Sequence, residues 1–192
     1  MTVHQDDAPA STARDSDKLS AEAEGDMDTI AARTVTINRP REEVYAFYRH
    51  FPNLTAVMDN VESISMKGDD TAHWVVKAPA GKTVEWDAVV TEDQPGRLIA
   101  WKSAEGADVD NSGRVEFLDA APGRGTIVRA TIAYDPPGGV IGEWIAKFLQ
   151  KEPNVQVRRD LRRLKQYLET GEVTTSASPS GRKSEDPTEQ YL

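Results

Sequence analysis

The chain has 192 residues, no cysteine, and a formal charge of −9 from 32 acids and 23 bases. That length fits one ordinary domain with tails, and the missing thiols exclude disulfides and thiolate chemistry. The charge is uneven: residues 1–28 carry a net −6, residues 171–192 a net −2, and the body between them −1, so no field on the body draws in nucleic acid.

Segments 1–29 and 171–192 hold too few apolar residues to offset the entropy of ordering. Both are expected to be disordered tails, the first acidic, around a single domain at 30–170. No basic region followed by an apolar run opens the chain, and no segment approaches the ~20 apolar residues of a membrane span. The expected setting is the cytoplasm.

Within the domain, RTVTIN at 33–38 alternates as a short strand. Pro40 suits a first helical position, and Val44, Phe47, Tyr48 and Phe51 recur with helical spacing. Pro52 then predicts a second short helix to about Met58. Six strand-like segments follow, at about 60–67, 71–78, 82–93, 97–104, 109–119 and 125–135. Glycine, proline and aspartate punctuate the junctions, and such short connections predict antiparallel neighbours.

Helical patterns cover about 139–150 (Ile141, Trp144, Ile145, Phe148) and then Pro153 to about 169 (Val157, Leu161, Leu164, Leu168). The second is an amphipathic stripe, and the helix is expected to kink or split at Pro153. Period-2 reading places Val84, Trp86, Ala88 and Val90 on one face of their strand, with Glu85 and Asp87 opposite. It likewise groups Ile99 with Trp101, and Val128, Ala130, Ile132 and Tyr134. An apolar sheet face must be covered, and the C-terminal helix is the long cover at hand. The predicted class is α+β: order β-αα-β6-α, a curved antiparallel sheet wrapped around a long C-terminal helix, with an apolar hollow between them.

This element order, with FYRHFPNLTAVMDNVESI at the helix-to-strand junction, resembles the START-like superfamily, the helix-grip (START/Bet v 1-like) fold. The runs VEWDAVV, RLIAWKS, ADVDNSGRVEF, ATIAYDPPGG and VRRDLRRLKQYLETGE are similar to an uncharacterised bacterial group in its polyketide cyclase/dehydrase and coenzyme Q-binding branch. The resemblance covers about residues 30–172. It implies a cavity for lipids, quinones or polyketides and transfers no catalytic residue.

The expected function is therefore a binding or carrier protein for a hydrophobic small molecule: a lipid, a quinone or a polyketide-like compound. The alternatives are a cyclase or dehydratase acting on such a molecule, and a protein-interaction module. Cavity candidates are Trp74, Trp86, Trp101 and Tyr134 on the strands, Asp110 and Asn111 at a strand entry, and Trp144 and Phe148 on the cover. Large aromatics on a buried sheet face also serve as core, and Trp144 and Phe148 stand out because they precede Pro153.

Other patterns carry less. Asp108, Asp110, Ser112, Glu116 and Asp119 with Gly113 match calcium-loop spacing, but the flanks read as strand rather than helix, so a strand entry with a glycine bulge is the preferred reading. Ala80-Gly81-Lys82-Thr83 ends like a phosphate loop without its earlier glycine or following helix. His4, His50 and His73 form no ligand-spaced pair, and His73 is expected to face outward; neither metal nor cofactor is expected. Arg158, Arg159, Arg162 and Arg163 with Lys165 form a basic run broken by Asp160. It reads as a solvated face complementing the helix C-terminal dipole, or as a contact for anionic lipid headgroups.

Overall fold

A computed structural model describes residues 29–78, 81–135 and 153–174. Strand β1 (Thr29–Ile37) leads into helix α1 (Arg41–Arg49) and a 3₁₀ helix at Phe51–Ala56. Strands β2 (Val61–Met66), β3 (Thr71–Lys77), β4 (Thr83–Gln94), β5 (Leu98–Ser103), β6 (Asp110–Asp119) and β7 (Thr126–Asp135) follow, then helix α2 (Pro153–Thr170). The six successive strands and the amphipathic helix lie where periodicity predicts them, within a residue or two. The segment after Pro52 departs from the α-helix expected: proline in its first turn lacks a donor, and it winds as a 3₁₀ helix. The expected helix over 139–150, with Trp144 and Phe148, lies outside the described residues, as do positions 1–28 and 175–192.

All seven strands form one antiparallel sheet in the order β1-β7-β6-β5-β4-β3-β2. β2 to β7 are a meander, and β1 joins by pairing with the last strand. Register irregularities in β2 between Val61 and Ser63 and in β4 between Val90 and Glu92 bend those strands, as bulges do, and help the sheet curl.

The concave face carries Val84, Ile99, Val115, Phe117 and Val128, all buried. Helix α2 lays Val157, Leu161, Leu164 and Leu168 into this face and packs chiefly along β1. Its C-terminal half is fastened there. Lys165 Nζ donates to the Thr36 carbonyl at 2.7 Å, Arg39 donates to the Leu168 carbonyl at 2.6 Å, and the Asn38 N–H donates to Glu169 at 2.6 Å. Helix α1 is tied to the sheet by Arg49, which reaches Asp93 at 2.7 Å and Asp70 at 2.9 Å. With both helices held, the described residues leave part of the curl unfilled.

Candidate functional site

That unfilled part is a cavity of about 140 Å³. Its apolar walls come from period-2 positions of successive strands: Val76 and Trp74 on β3, Val84 and Trp86 on β4, Trp101 on β5, Ile132 on β7. Trp74 and Trp86 are cross-strand partners, and their rings stack nearly parallel, 6.1 Å apart with 6° between planes. The buried Phe51 ring packs against Trp74, centroids 6.1 Å apart. The Trp74 indole N–H is buried without a hydrogen-bond partner. Gly113 faces Trp101 across the β5–β6 ladder, and a Cβ there would fall inside the indole. The glycine is what leaves room for that wall.

The cavity also has polar lining. Helix α1 contributes Tyr48, the turn before β2 contributes Asn60, β6 contributes Asn111, β7 contributes Tyr134, and α2 contributes Gln156 and Asp160. Gln156 Nε2 donates both to Asn60 Oδ1 at 2.9 Å and to Asp160 Oδ1 at 2.8 Å. This bond holds the carboxyl in place. Among the described residues, neither the Tyr48 nor the Tyr134 hydroxyl has a hydrogen-bond partner, nor has the second oxygen of Asp160. Tyr48 is buried, Tyr134 and Asp160 are half-buried against the cavity, and these three leave capacity for a ligand or for water.

Burial pushes the Asp160 carboxyl up to about 7. The bond from Gln156 opposes that rise, nearby Asp59 adds to it, and Arg163 and Arg159 oppose it. Burial likewise raises the Tyr48 and Tyr134 phenols, and the Asp160 charge acts on both in the same direction. The site therefore presents two neutral hydroxyl donors and a carboxyl poised between protonation states near neutral pH.

Of the residues expected at the cavity, Trp74, Trp86, Trp101, Asn111 and Tyr134 line it. Asp110 does not. Strand alternation sends it to the opposite face from Asn111, where it is exposed and accepts from Ser103 Oγ at 3.3 Å. Asn111 is buried, its amide bonded to the Val109 carbonyl at 3.1 Å. The calcium spacing dissolves in the same way. β6 pairs on both sides without a register shift, so the expected glycine bulge is absent. Asp108 instead accepts from the Glu85 N–H at 2.9 Å. Among the described residues no three His, Asp or Glu side chains are placed to hold an ion.

His73 lies on the opposite sheet face from Trp74, half-buried, its Nδ1 2.7 Å from Asp87. Lys67 holds the other Asp87 oxygen at 2.8 Å. These two bonds, Lys67 first, keep the Asp87 carboxyl below the usual range. The basic run on α2 needs correction too. The helix continues to Thr170 with no base in its last turn, so the arginines do not complement its C-terminal dipole.

Sequence reasoning missed Tyr48, Asn60, Gln156 and Asp160 as site residues. For Asp160 a signal exists: Val157, Asp160, Leu161 and Leu164 share one helical face, so this acid interrupts an apolar stripe.

Residues 28–169 match the family described as polyketide cyclase / dehydrase and lipid transport. This chain belongs to that family. It is 38% identical to a structurally solved protein of Deinococcus radiodurans, covering 74% of this chain and 99% of that one with a TM-score of 0.60. The Zhui aromatase/cyclase of Streptomyces sp. R1128 shares the fold at 14% identity, with a TM-score of 0.57 over 76% of this chain and 99% of that one. A START superfamily protein of Mycobacterium smegmatis does so at 11%, with a TM-score of 0.50 over 69% and 98%. An uncharacterised 17.2 kDa protein of Streptomyces lincolnensis is 29% identical over 84 residues, 44% of this chain and 55% of that protein. The match thus spans about half the length of that curated relative. The helix-grip architecture is that of the START-like superfamily.

Proposed function

We propose that the protein binds a small ring-bearing molecule in the cavity between sheet and α2, the ring against the tryptophan walls and an oxygen toward Tyr48, Tyr134 and Asp160. The observation that carries this reading is the convergence of three polar groups with unused hydrogen-bonding capacity in a mainly apolar, aromatic-walled cavity. Size narrows the class. A cavity of about 140 Å³ is close to the roughly 150 Å³ that accepts a benzene ring in an engineered protein. A quinone or polyketide-like ring is therefore favoured over a long acyl chain. The family description, which includes lipid transport, supports binding in general terms.

Titration of the full chain with 1-naphthol and with menadione tests this, read by quenching of tryptophan fluorescence and by native mass spectrometry. The expected result is one-to-one saturable binding, weakened about tenfold in Tyr134→Phe, as loss of one buried hydrogen bond implies. Absence of saturable quenching by both probes would overturn the cavity reading.

One observation favours a second, catalytic reading. A carboxyl near 7 suits proton transfer at neutral pH, and two phenols beside it are placed to polarise a carbonyl. Asp160 would then take the proton α to that carbonyl, as a cyclase or dehydratase requires. Solvent-deuterium exchange α to the carbonyl of bound 1-tetralone, a ketone that exchanges slowly on its own at neutral pH, followed by NMR, separates the readings. Exchange that vanishes in Asp160→Asn while binding persists supports catalysis; no exchange in the wild type leaves a binding protein.

A further inference from the structure

The outward side of α2 holds a second feature. Arg158, Arg159, Arg162 and Arg163 surround a recess of about 280 Å³, with Gln166 at its edge. They occupy helical positions i, i+1, i+4 and i+5, so the four guanidinium groups lie on adjacent turns of one surface. Arg158, Arg159 and Arg162 are exposed and have no carboxylate partner among the described residues. Arg163 is half-buried and bonded to Asp59, which anchors that corner.

This arrangement costs stability. Arg158–Arg162 and Arg159–Arg163 are like-charged pairs at i,i+4, each unfavourable in a helix. Lys165 on the same helix is tied to Glu169 at 2.7 Å and to the Thr36 carbonyl, so the uncompensated charge belongs to the arginines. An anion seated among them would relieve both repulsions at once. Guanidinium is the group whose planar fork matches phosphate oxygens in pairs. Among the described residues the recess is lined by arginine and glutamine alone. That lining fits a discrete charged group.

We infer that this recess is a binding site for a phosphate group, as a phosphomonoester or a pyrophosphate. Its two sources are a soluble phosphate compound and a lipid headgroup. The recess shares no lining residue with the cavity.

The test uses the full chain. Inorganic phosphate and pyrophosphate are titrated calorimetrically at constant ionic strength against chloride. In parallel, flotation is measured with phosphatidylcholine vesicles with and without phosphatidic acid. Saturable binding is expected in at least one arm, weakened at least about tenfold by Arg159→Gln/Arg162→Gln, since two bidentate partners are lost. A far-UV circular dichroism melt of that variant reports that it folds. Arg159→Lys/Arg162→Lys keeps the charge and removes the fork, and it too should bind more weakly. Binding in the soluble arm assigns a free phosphate compound; binding to phosphatidic acid vesicles alone assigns a lipid headgroup. The inference falls if neither arm binds, if chloride competes equally, or if the glutamine variant binds like the wild type.

Discussion

Asp160 shows how one residue's surroundings decide its chemistry. A carboxyl ordinarily near 3.8 is raised to about 7, chiefly by burial. Between those two values the folded chain keeps a proton that the unfolded chain has released. Stability therefore decreases as pH climbs through this window and levels off above about 7. Three pH units correspond to at most about 4 kcal/mol, and partial solvent access reduces that. Chemical denaturation at pH 5 and pH 8 should show the wild type weaker at pH 8, with most of the difference removed in Asp160→Asn. An unchanged slope in the variant would assign it to other groups. The run RRDLRRLK displays the acid, yet its meaning depends on what α2 packs against. Sequence alone supplies the helical face; the cavity supplies the dielectric.

Among the elements, β5 and β6 show a pairing that no local pattern predicts. DNSGRVEF matches calcium-loop spacing, but its preferred reading from sequence is a strand entry with a glycine bulge. Opposite Gly113 sits Trp101, and a glycine there needs no bulge, only a large neighbour across the ladder. Gly113→Ala should destabilise by about 1–3 kcal/mol, the usual cost of overpacking. Trp101→Phe should recover part of that loss in the double variant, because the two sites share one space. Denaturant titration of the four proteins of the cycle measures the coupling; strict additivity would argue that the indole and the glycine do not meet. The strand boundaries were legible because alternation persists over each strand and turn residues mark the ends. The face of Asp110 was not, because the strand entry could be placed a residue to either side and one residue flips the face.

At the scale of the whole molecule, cavity and fold share a cause. A seven-stranded curl leaves more concave surface than α1 and the described part of α2 cover, and the remainder is walled by tryptophan. A ligand that binds only the folded state should stabilise it by about 2.7 kcal/mol at a hundred times its dissociation constant. For a chain of this size, that is a rise in melting temperature of roughly 5–10 °C. Differential scanning fluorimetry with saturating 1-naphthol checks this, and an unmoved melting point alongside quenching would place the probe at the surface instead. Hydrophobic periodicity and turn chemistry determined the element order, the antiparallel meander and the apolar face, because each depends on residues close in the chain. The tertiary structure alone decided that Tyr48, Tyr134 and Asp160, drawn from α1, β7 and α2, meet in one cavity. It also decided that the arginines of α2 look away from it. Those juxtapositions depend on how the sheet curls and where the helix lies, which involve residues more than a hundred positions apart.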